Sequence, residues 1–394
     1  MWSWWRDMSN TWNTVPFTEA VDICDTLRKP INSSERASRI AGKKQSELYP
    51  YYGATGQVGF IDDYITDGEY VLLGEDGAPF LDAYAPKAYI INGKTWVNNH
   101  AHVLRSKTSN KFLCYYLNSF NYKGFVSGTT RLKLTQAEMK RIPVPVPPLP
   151  EQERIVARIE ELFSQLDAGV ETLKKTKAQL AVYRQAVLKE AFEDCIDSVT
   201  MGSVATMIDP QPSHRTPPEF ENGIPYIGIG DIDYTGKTIR FIDARKVNPV
   251  VYEEHLQRYT LREGDFVMGK IGTIGKPFRL PLPQNYTLSA NVILIQPDAE
   301  KINPEYLFWQ FSSPLITEQL MEGKNETSQP AFGIQKARLL QIKMCSPEAQ
   351  DRIVYDIREK ISVCENIEQT VALTLQQAEA MRQSILKDAF EGKM

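Results

Sequence analysis

Residues that could do chemistry are present in this sequence, but they do not form a complete catalytic or metal-binding pattern. His100 and His102 would share one face of a strand, as metal ligands can, yet no carboxylate or cysteine lies close to them in sequence. The paired acids at 62–63 and 253–254 have the polar surroundings of solvated turns. The pattern favours a packed strand and exposed turns, because no nucleophile, base and orienting group occur together.

Two further motifs resemble nucleotide-binding or methyltransferase motifs but are incomplete. Residues 269–275 read Gly-Lys-Ile-Gly-Thr-Ile-Gly, which has neither phosphate-loop spacing nor a dinucleotide fingerprint, so a tight turn is favoured. Residues 248–251 and 303–306 begin with Asn-Pro, as the Asn-Pro-Pro-Tyr loop of adenine methyltransferases does. Both lack the second proline, and no glycine-rich cofactor motif precedes them. We therefore expect this chain not to be an enzyme.

A long segment that occurs twice organises the chain around these residues. The first copy begins Pro-Pro-Leu-Pro-Glu-Gln-Glu-Arg-Ile-Val at 147–156 and ends Leu-Lys-Glu-Ala-Phe-Glu at 188–193. The second begins Ser-Pro-Glu-Ala-Gln-Asp-Arg-Ile-Val at 346–354 and ends Leu-Lys-Asp-Ala-Phe-Glu at 386–391. The two copies align without a gap, because Gln152 and Gln350 mark equivalent positions, as do Glu193 and Glu391.

Both copies have a seven-residue apolar period, which is typical of helices that pack against another helix. Each helix would be on the order of 60 Å long at about 1.5 Å per residue, so the other copy is the simplest partner. Two equivalent helices related by a pseudo-twofold axis would lie antiparallel; the alternative is that each packs only in its own globule. One seam position contains Ile159, Leu166, Leu173, Leu180 and Val187, and its equivalents Ile357, Cys364, Val371, Ala378 and Ile385. The other contains Ile155, Leu162, Gly169, Thr176, Tyr183 and Glu190, and Ile353, Lys360, Ile367, Thr374 and Met381.

The remaining sequence forms two regions with the same order of elements. Residues 49–53 resemble 224–228, and residues 112–119 resemble 306–313. Strand-like runs occur at 69–74, 88–91, 95–104, 264–269 and 289–294, and helices are expected at 110–119 and 304–313. The fold class predicted is α+β, with two related globular α/β domains separated by two long antiparallel helices in a coiled coil, as a pseudo-twofold internal duplication. The predicted segments are a globule at 1–146, a helix at 147–195, a globule at 196–345 and a helix at 346–394.

Composition agrees with a multidomain protein that does not enter a membrane. The 394 residues exceed one ordinary core, and 42% hydrophobic with 24% charged residues are typical of globular proteins. No apolar run approaches twenty residues, so no membrane span is expected. The five cysteines are scattered and odd in number, which favours a reducing cytoplasm.

The order of globule, Pro-Pro-Leu-Pro-Glu-Gln linker, long helix, second globule and second long helix resembles the specificity subunit of type I restriction-modification systems over nearly the whole chain. Residues 147–156, the Leu-Lys-Glu/Asp-Ala-Phe-Glu endings, and Arg-Thr-Pro at 215–217 before 224–227 carry the resemblance. Residues 49–56 and 98–102 resemble one common variety of the family's target recognition domain.

The resemblance implies that each globule is a target recognition domain that reads one half of a bipartite, asymmetric DNA site. The two helices would act as a spacer between them. It also implies that two modification subunits, which carry S-adenosylmethionine and methylate adenine N6, dock on this chain, and that a restriction subunit with motor and nuclease activity joins them. This chain itself would bind no cofactor and no metal.

Binding to duplex DNA would require local clusters of cations, because the net charge of the chain is -4. Residues 1–150 contain 17 Lys+Arg against 14 Asp+Glu, and residues 196–346 contain 15 against 17. A solvated surface charge is the ordinary alternative for each residue, and we expect Arg28, Lys43, Arg215 and Lys324 to lie near DNA. The predicted DNA-binding set is Arg28, Lys29, Arg36, Lys43, Lys44, Arg105, Lys107, Arg131 and Lys133 in the first globule, and His214, Arg215, Lys270, Lys276, Lys324 and Asn325 in the second.

Apolar residues outside the main seam positions could complete a helical bundle with a partner. Contact with the chain's own globules is the alternative. The predicted partner-binding residues are Phe163, Leu188, Phe192, Ile361, Leu386 and Phe390. Other functions left open are the specificity subunit of a related system with a fused methylase-nuclease partner, and a non-catalytic protein-binding scaffold. A self-contained enzyme is a further alternative, which the absence of a cofactor loop disfavours.

Overall fold

Short strands and short helices fill residues 14–145, ahead of the first long helix. The computed structural model describes residues 12–213, 215–270, 274–322 and 332–394. It divides into two units, Met1–Lys175 with Val371–Met394 and Thr176–Thr370. The strands before the first long helix are β1 Thr14–Pro16, β2 Val21–Ile23, β3 Tyr49–Gly53, β4 Gly56–Ile61, β5 Thr66–Asp67, β6 Tyr70–Gly74, β7 Ala88–Ile91, β8 Lys94–Val97, β9 Ala101–Ser106 and β10 Pro143–Pro145. The helices are α1 Phe17–Ala20, α2 Ser33–Ile40, α3 Asn110–Ser119, α4 Gln136–Met139 and the long α5 Leu149–Glu190.

The second region repeats this alternation before the second long helix. Its strands are β11 Asp197–Thr200, β12 Ala205–Ile208, β13 Ile224–Ile227, β14 Ile232–Asp233, β15 Thr238–Ile239, β16 Lys246–Val247, β17 Phe266–Gly269, β18 Phe278–Arg279, β19 Thr287–Leu288, β20 Val292–Pro297 and β21 Gln341–Met344. Its helices are α6 Met201–Val204, α7 Pro249–Leu256, α8 Pro304–Phe311, α9 Pro314–Glu322, α10 Ile334–Arg338 and the long α11 Pro347–Phe390. The α+β class predicted from the sequence is confirmed.

The sheets of the two regions have equivalent strand orders. The first region contains sheets β2-β9-β6-β7 and β4-β3-β8-β5, and the second contains β12-β20-β17-β18 and β16-β13-β19. In each region one strand pair is parallel, β3 with β8 and β13 with β19. The strand just before each long helix pairs with the first strand of its region, β10 with β1 and β21 with β11. The duplication inferred from short sequence matches therefore extends to strand pairing.

A buried glutamine in the first turn of each long helix joins the helix to the globule before it. The side-chain amides of Gln152 and Gln350 donate to the backbone carbonyl oxygen five residues earlier, at 2.8 and 3.0 Å. The Gln152 carbonyl oxygen accepts from the Thr108 hydroxyl at 2.9 Å, and that of Gln350 accepts from the Asn303 backbone N–H at 2.9 Å. Each glutamine thus fixes the direction in which its helix leaves the globule, because a buried amide must keep its hydrogen bonds.

Within each unit, the two long helices run antiparallel. In the first unit the beginning of α5, around Ile155 and Ile159, packs with the end of α11 at Leu386. In the second unit Leu188, near the end of α5, is buried in one cluster with Ile357 and Ile361 from the beginning of α11. The ion pairs Asp167–Arg382 in the first unit and Arg184–Glu368 in the second also fit antiparallel helices. The partner on α11 comes late in that helix for Asp167 and earlier for Arg184.

Only one of the two predicted seam positions is continuously apolar and shielded. Ile159, Leu180, Val187, Ile357 and Cys364 are buried. At the other position, Tyr183, Ile367 and Met381 are exposed, and so are the polar or small Gly169 and Lys360. The predicted second seam position is therefore wrong at these residues, because they face solvent; only Gly169 and Lys360 among them lack a large apolar side chain.

A phenylalanine at the end of each long helix packs on the equivalent short helix of the globule in its unit. The ring of Phe192 lies 5.3 Å from that of Tyr306 in α8. The ring of Phe390 lies 5.2 Å from that of Phe112 and 5.4 Å from that of Tyr116, both in α3. Edge-to-face packing of this kind adds to area burial, and it explains why the Ala-Phe-Glu ending occurs twice.

The helix contact in the first unit predicts a measurable loss of stability. Replacing the fully buried Ile159 with alanine should reduce the free energy of unfolding by about 3 kcal/mol, because the cavity left in the helix pair cannot close fully. Val182→Ala, on an exposed position of the same helix, should change it by less than about 0.5 kcal/mol. Urea unfolding followed by circular dichroism measures both; equal losses would contradict the proposed packing.

Candidate nucleic-acid interface

Helix α2 places two arginines over aromatic rings of the neighbouring sheet. The helix starts where the Asn32 side chain accepts a hydrogen bond from the Glu35 backbone N–H at 2.8 Å. The Arg36 guanidinium lies 4.8 Å from the centre of the Tyr51 ring, and that of Arg39 lies 5.0 Å from the Trp96 ring. Cations stacked on rings in this way keep their charge and lose less on desolvation.

Asp62 balances part of the charge of this surface. Its carboxylate accepts from Arg39 Nε at 2.6 Å and from Lys43 Nζ at 2.5 Å. The hydrogen bond from Lys43 is the main cause that lowers the pKa of Asp62. Lys43 is thus exposed but already paired, so a phosphate would have to compete with Asp62 for it.

Four other predicted cations of the first globule are at the surface. Lys29 lies 5.8 Å from the Trp96 ring, and Arg105 lies 5.4 Å from the Tyr70 ring. Lys107 donates to the Thr18 carbonyl oxygen at 3.1 Å, and Lys44 follows α2 on the exposed surface. These side chains have no carboxylate within 3.5 Å among the ion pairs of the described residues, so phosphate can reach them.

Arg28 is held by ion pairs within the protein, and its predicted contact with DNA stays a prediction. Its guanidinium pairs with Asp25 at 3.2 Å and with Glu75, and it donates to the Ala101 carbonyl oxygen at 3.2 Å. The side chain is 19% exposed. The sequence could not show this, because Glu75 is distant along the chain and the pairing depends on the fold.

A segment that follows α3 brings Arg131 and Lys133 to the surface beside Asp76 and Glu75. Arg131 Nε lies 2.7 Å from Asp76, and Lys133 Nζ lies 3.4 Å from Glu75. Backbone hydrogen bonds join the segment to residues 75–77, from Gly77 N to Leu132 O and from Leu134 N to Glu75 O. Both cations remain at least 49% exposed and can contact an anion outside the protein.

His102 and His100 do not form a metal site. His102 is fully buried and lies 2.8 Å from Asp25 through Nδ1, while the partly exposed His100 lies 3.5 Å from Asp76. In the part of the chain that the structure describes, no group of three metal-ligating side chains occurs. The sequence missed Asp25 as the partner of His102, because it precedes the histidine by a large part of the globule.

In the second globule, Arg215 and Lys276 are exposed, whereas Lys270 forms an ion pair with Asp209. Lys270 Nζ lies 2.8 Å from Asp209 and is 15% exposed, so its predicted contact with a phosphate backbone is not supported by its position. Lys276 lies 5.7 Å from the Tyr234 ring. The predicted residues His214, Lys324 and Asn325 lie outside the described residues.

The Asn-Pro motifs of this globule begin helices. Asn248 accepts from the Val250 backbone N–H at 3.0 Å, and Pro249 is the first residue of α7. Asn303 accepts from the Glu305 backbone N–H at 2.8 Å, with Pro304 first in α8. A capping asparagine and a proline at the first helical position are a common helix start, so helix capping explains these motifs without methyl transfer.

The predicted partner-binding residues are mostly buried by the chain itself. Leu188, Phe192, Ile361 and Leu386 are at most 3% exposed. Phe163 packs on Tyr115, and Phe390 packs on α3. The prediction that these apolar side chains are left uncovered is wrong for the four buried ones. Contact with the chain's own globules, the alternative, describes their positions.

Other apolar side chains of the long helices are uncovered. The sequence does not reveal them, because the seven-residue period places some of them in the seam and gives no signal for the rest. They are Leu149, Val182 and Tyr183 on α5, and Tyr355, Val363, Ile367, Leu373 and Met381 on α11.

Removing Arg28 should destabilise the first unit more than removing its neighbour Lys29. Arg28→Ala removes the cation that pairs with both Asp25 and Glu75, two largely buried carboxylates, which should cost about 2 kcal/mol of unfolding free energy. Lys29→Ala changes a surface position and should cost less than about 0.5 kcal/mol. Chemical denaturation of both variants tests this; a neutral Arg28→Ala would show that the network is not structural.

His255 should make the second unit less stable in mild acid. Burial lowers the pKa of His255, with the neighbouring Arg258 adding to the effect. Its stabilising contribution is therefore complete above the unfolded-state pKa of about 6.5 and is lost as the pH falls below that value. Calorimetry should show a steeper fall of the melting temperature between neutral pH and about pH 5 for the wild type than for His255→Gln. Parallel curves would contradict this.

Comparison with known proteins gives the same family for most of the chain. A family model described as type I restriction modification DNA specificity domain matches residues 12–181. A putative type I restriction enzyme specificity subunit of Haemophilus influenzae is 30% identical over 302 residues, which is 74% of each chain. The EcoBI specificity subunit of Escherichia coli is 22% identical over 389 residues, covering 90% of this chain and 79% of that protein.

Solved structures show the same fold. A chain from a type I R-M system, studied for its complex assembly and conformational transition, aligns with a TM-score of 0.69 at 17% identity, covering 97% of this chain and 98% of that one. The HsdS subunit of Thermoanaerobacter tengcongensis aligns with a TM-score of 0.53 at 16% identity over 98% of both chains. No helix within the described ranges is both long and apolar enough to cross a membrane. With its two equivalent α+β regions and two long helices, the chain belongs to the family of type I restriction-modification DNA specificity subunits.

Proposed function

We propose that the chain recognises a bipartite, asymmetric DNA site, one half-site with each globule, and carries no catalytic residue or cofactor of its own. The observation that supports this most is the repetition of one attachment. The first globule contacts the first turn of α5 through the buried Gln152 and the end of α11 through Phe390. The second globule contacts the first turn of α11 through the buried Gln350 and the end of α5 through Phe192. A globule attached in this way has a fixed orientation relative to the helices in its unit, as recognition of a half-site requires.

Divergent surfaces of the two globules support unlike half-sites. In the first globule, cations stack on Tyr51, Tyr70 and Trp96. In the second, the corresponding strand β13 is followed by a short helical turn capped by Asp231, and Lys276 stacks on Tyr234. Since the frameworks repeat and the exposed side chains do not, the same fold can present different groups to base edges and phosphates.

Contacts to phosphate are proposed for the surface cations that keep their charge available. These are Lys29, Lys44, Arg105, Lys107, Arg131, Lys133, Arg215 and Lys276. Arg36 and Lys43 also stay in the set, with Arg36 donating to the Val58 carbonyl oxygen and Lys43 donating to Asp62. Lys324, Asn325 and His214 stay predictions from the sequence.

Two modification subunits, which bind S-adenosylmethionine and methylate adenine N6, are the proposed partners, and a restriction subunit joins them in the cytoplasm. The uncovered apolar side chains of α11 support this. In the second unit, Tyr355 and Val363 occupy neighbouring angular positions on this helix, away from the buried Ile357. In the first unit, Leu373 and Met381 do so, away from the buried Val371. A partner helix could bury the exposed side chains of either unit, as in a helical bundle.

Methylome sequencing tests the whole proposal. A host that expresses this chain with its cognate modification subunits should acquire N6-methyladenine in one asymmetric motif with two specified parts and an unspecified spacer. A host with the modification subunits alone should not. Methylation that does not depend on this chain, or a single continuous motif, would contradict the proposal.

Cation contacts can be tested with the same complex and a duplex that contains the motif found. Lys29→Ala with Arg105→Ala should weaken binding and reduce the slope of log affinity against log salt by about 0.9 for each phosphate that the protein no longer neutralises. Glu19→Gln, which removes an exposed acid of the same unit, is the matched surface control. An unchanged slope in the double variant would remove Lys29 and Arg105 from the interface.

A further inference from the structure

The buried His102 has a hydrogen-bond partner on each ring nitrogen, and both partners are oxygens. Nδ1 lies 2.8 Å from Oδ2 of Asp25, and Nε2 lies 3.2 Å from the backbone carbonyl oxygen of Leu134. A carbonyl oxygen can only accept a hydrogen bond, so Nε2 must carry a proton. The protonation of the ring then depends on whether Asp25 accepts or donates.

Asp25 is in a position to accept only. Its Oδ1 accepts from the Val103 backbone N–H at 2.9 Å, and its Oδ2 also accepts from the Gln136 amide at 3.0 Å. Arg28 lies 3.2 Å from the same oxygen. Nδ1 must therefore donate as well.

We propose that His102 is an imidazolium ion that fixes the segment of residues 127–134, so that Arg131 and Lys133 contact DNA phosphates. His102 is a positioning residue in this proposal, because it touches Leu134 and not DNA. The proposal rests on the DNA-binding function given above. It names how one set of phosphate contacts in the first globule is held in place.

A positive charge on His102 would balance the neighbouring carboxylates and would satisfy both hydrogen bonds of the ring. The groups that face it are Asp25, Glu75 at 3.9 Å from Nε2, and Arg28, which pairs with both acids. Lys133 lies 3.4 Å from the other oxygen of Glu75. A neutral ring would direct a lone pair at Asp25 or at the Leu134 carbonyl. Either repulsion would loosen the attachment of Leu134, which is next to Lys133 in the chain.

His255 shows what a buried neutral histidine needs. Its Nδ1 contacts the Thr287 hydroxyl, and its Nε2 contacts the side-chain oxygen of Gln211. Because a hydroxyl can donate as well as accept, one protonated nitrogen satisfies both contacts. The two histidines thus have opposite requirements in one chain, and His255 is an internal reference for the measurement.

Nitrogen NMR of the full chain, labelled with ¹⁵N-histidine, reads the charge directly at neutral pH. The chain contains four histidines, and His102→Gln and His255→Gln assign the two that matter. We expect both ring nitrogens of His102 to show protonated shifts and one nitrogen of His255 to show an unprotonated shift. An unprotonated nitrogen in His102 would overturn the charge assignment.

DNA binding by the complex with its modification subunits tests the positioning role. The probe is a duplex that contains the motif identified by methylome sequencing, titrated over a range of salt. His102→Leu should reduce the salt slope by about 1.8, the effect of two phosphate contacts, and so should the double variant Arg131→Ala with Lys133→Ala. Adding His102→Leu to that double variant should reduce the slope no further, because both changes remove the same contacts.

Thr66→Val is the matched structural control. Thr66 is buried in the same unit and hydrogen-bonds to Thr95, away from residues 127–134. It should keep the wild-type slope although it also loses a buried hydrogen bond. A wild-type slope in a folded His102→Leu variant, or an equal loss in Thr66→Val, would overturn the positioning role. Absence of sequence-specific binding by the wild-type complex would instead contradict the proposed function, and the NMR result would still decide the charge of His102.

Discussion

The structure depends on how each long helix is held at its two ends. A helix of more than forty residues gains little from propensity alone, so its direction is set by tertiary contacts at its ends. Here the beginning is held by a buried amide, at Gln152 or Gln350, and the end by an aromatic ring, at Phe192 or Phe390. Because α3 and α8 are equivalent helices, the same pair of contacts is made in both units.

The residues that attach the helices are different from the exposed residues proposed to contact DNA. The attachment uses buried groups whose replacement would leave unpaired polar atoms or cavities, so it can vary little. The exposed cations and aromatic rings of the sheets and of α2 have no such constraint. A duplicated framework can therefore keep its helix contacts while its two surfaces diverge, and the divergence in sequence is concentrated in the globules.

Much of the fold could be predicted because it depends on local pattern. The helix expected at 110–119 is α3, and the seven-residue period indicated both long helices. The strand-like run at 95–104 is divided into β8 and β9, because the Asn98 side chain accepts from the His100 backbone N–H and forms a turn. The site could be predicted only in part. Surface cations such as Lys29 and Arg215 follow from composition, whereas the pairing of Arg28 with Glu75 and the burial of Leu188 depend on contacts between distant residues.

Net charge is a poor guide to such a protein because the acids have specific positions. Asp76 and Glu75 pair with the cations Arg131 and Lys133, and Asp62 pairs with Arg39 and Lys43. A carboxylate that pairs with the protein-facing side of a cation holds the cation in place. The solvent-facing side of the cation stays open to a phosphate. The acidic residues near these surfaces thus organise the positive charges that face outward. A chain with an overall charge of -4 can present locally positive, preorganised groups for this reason.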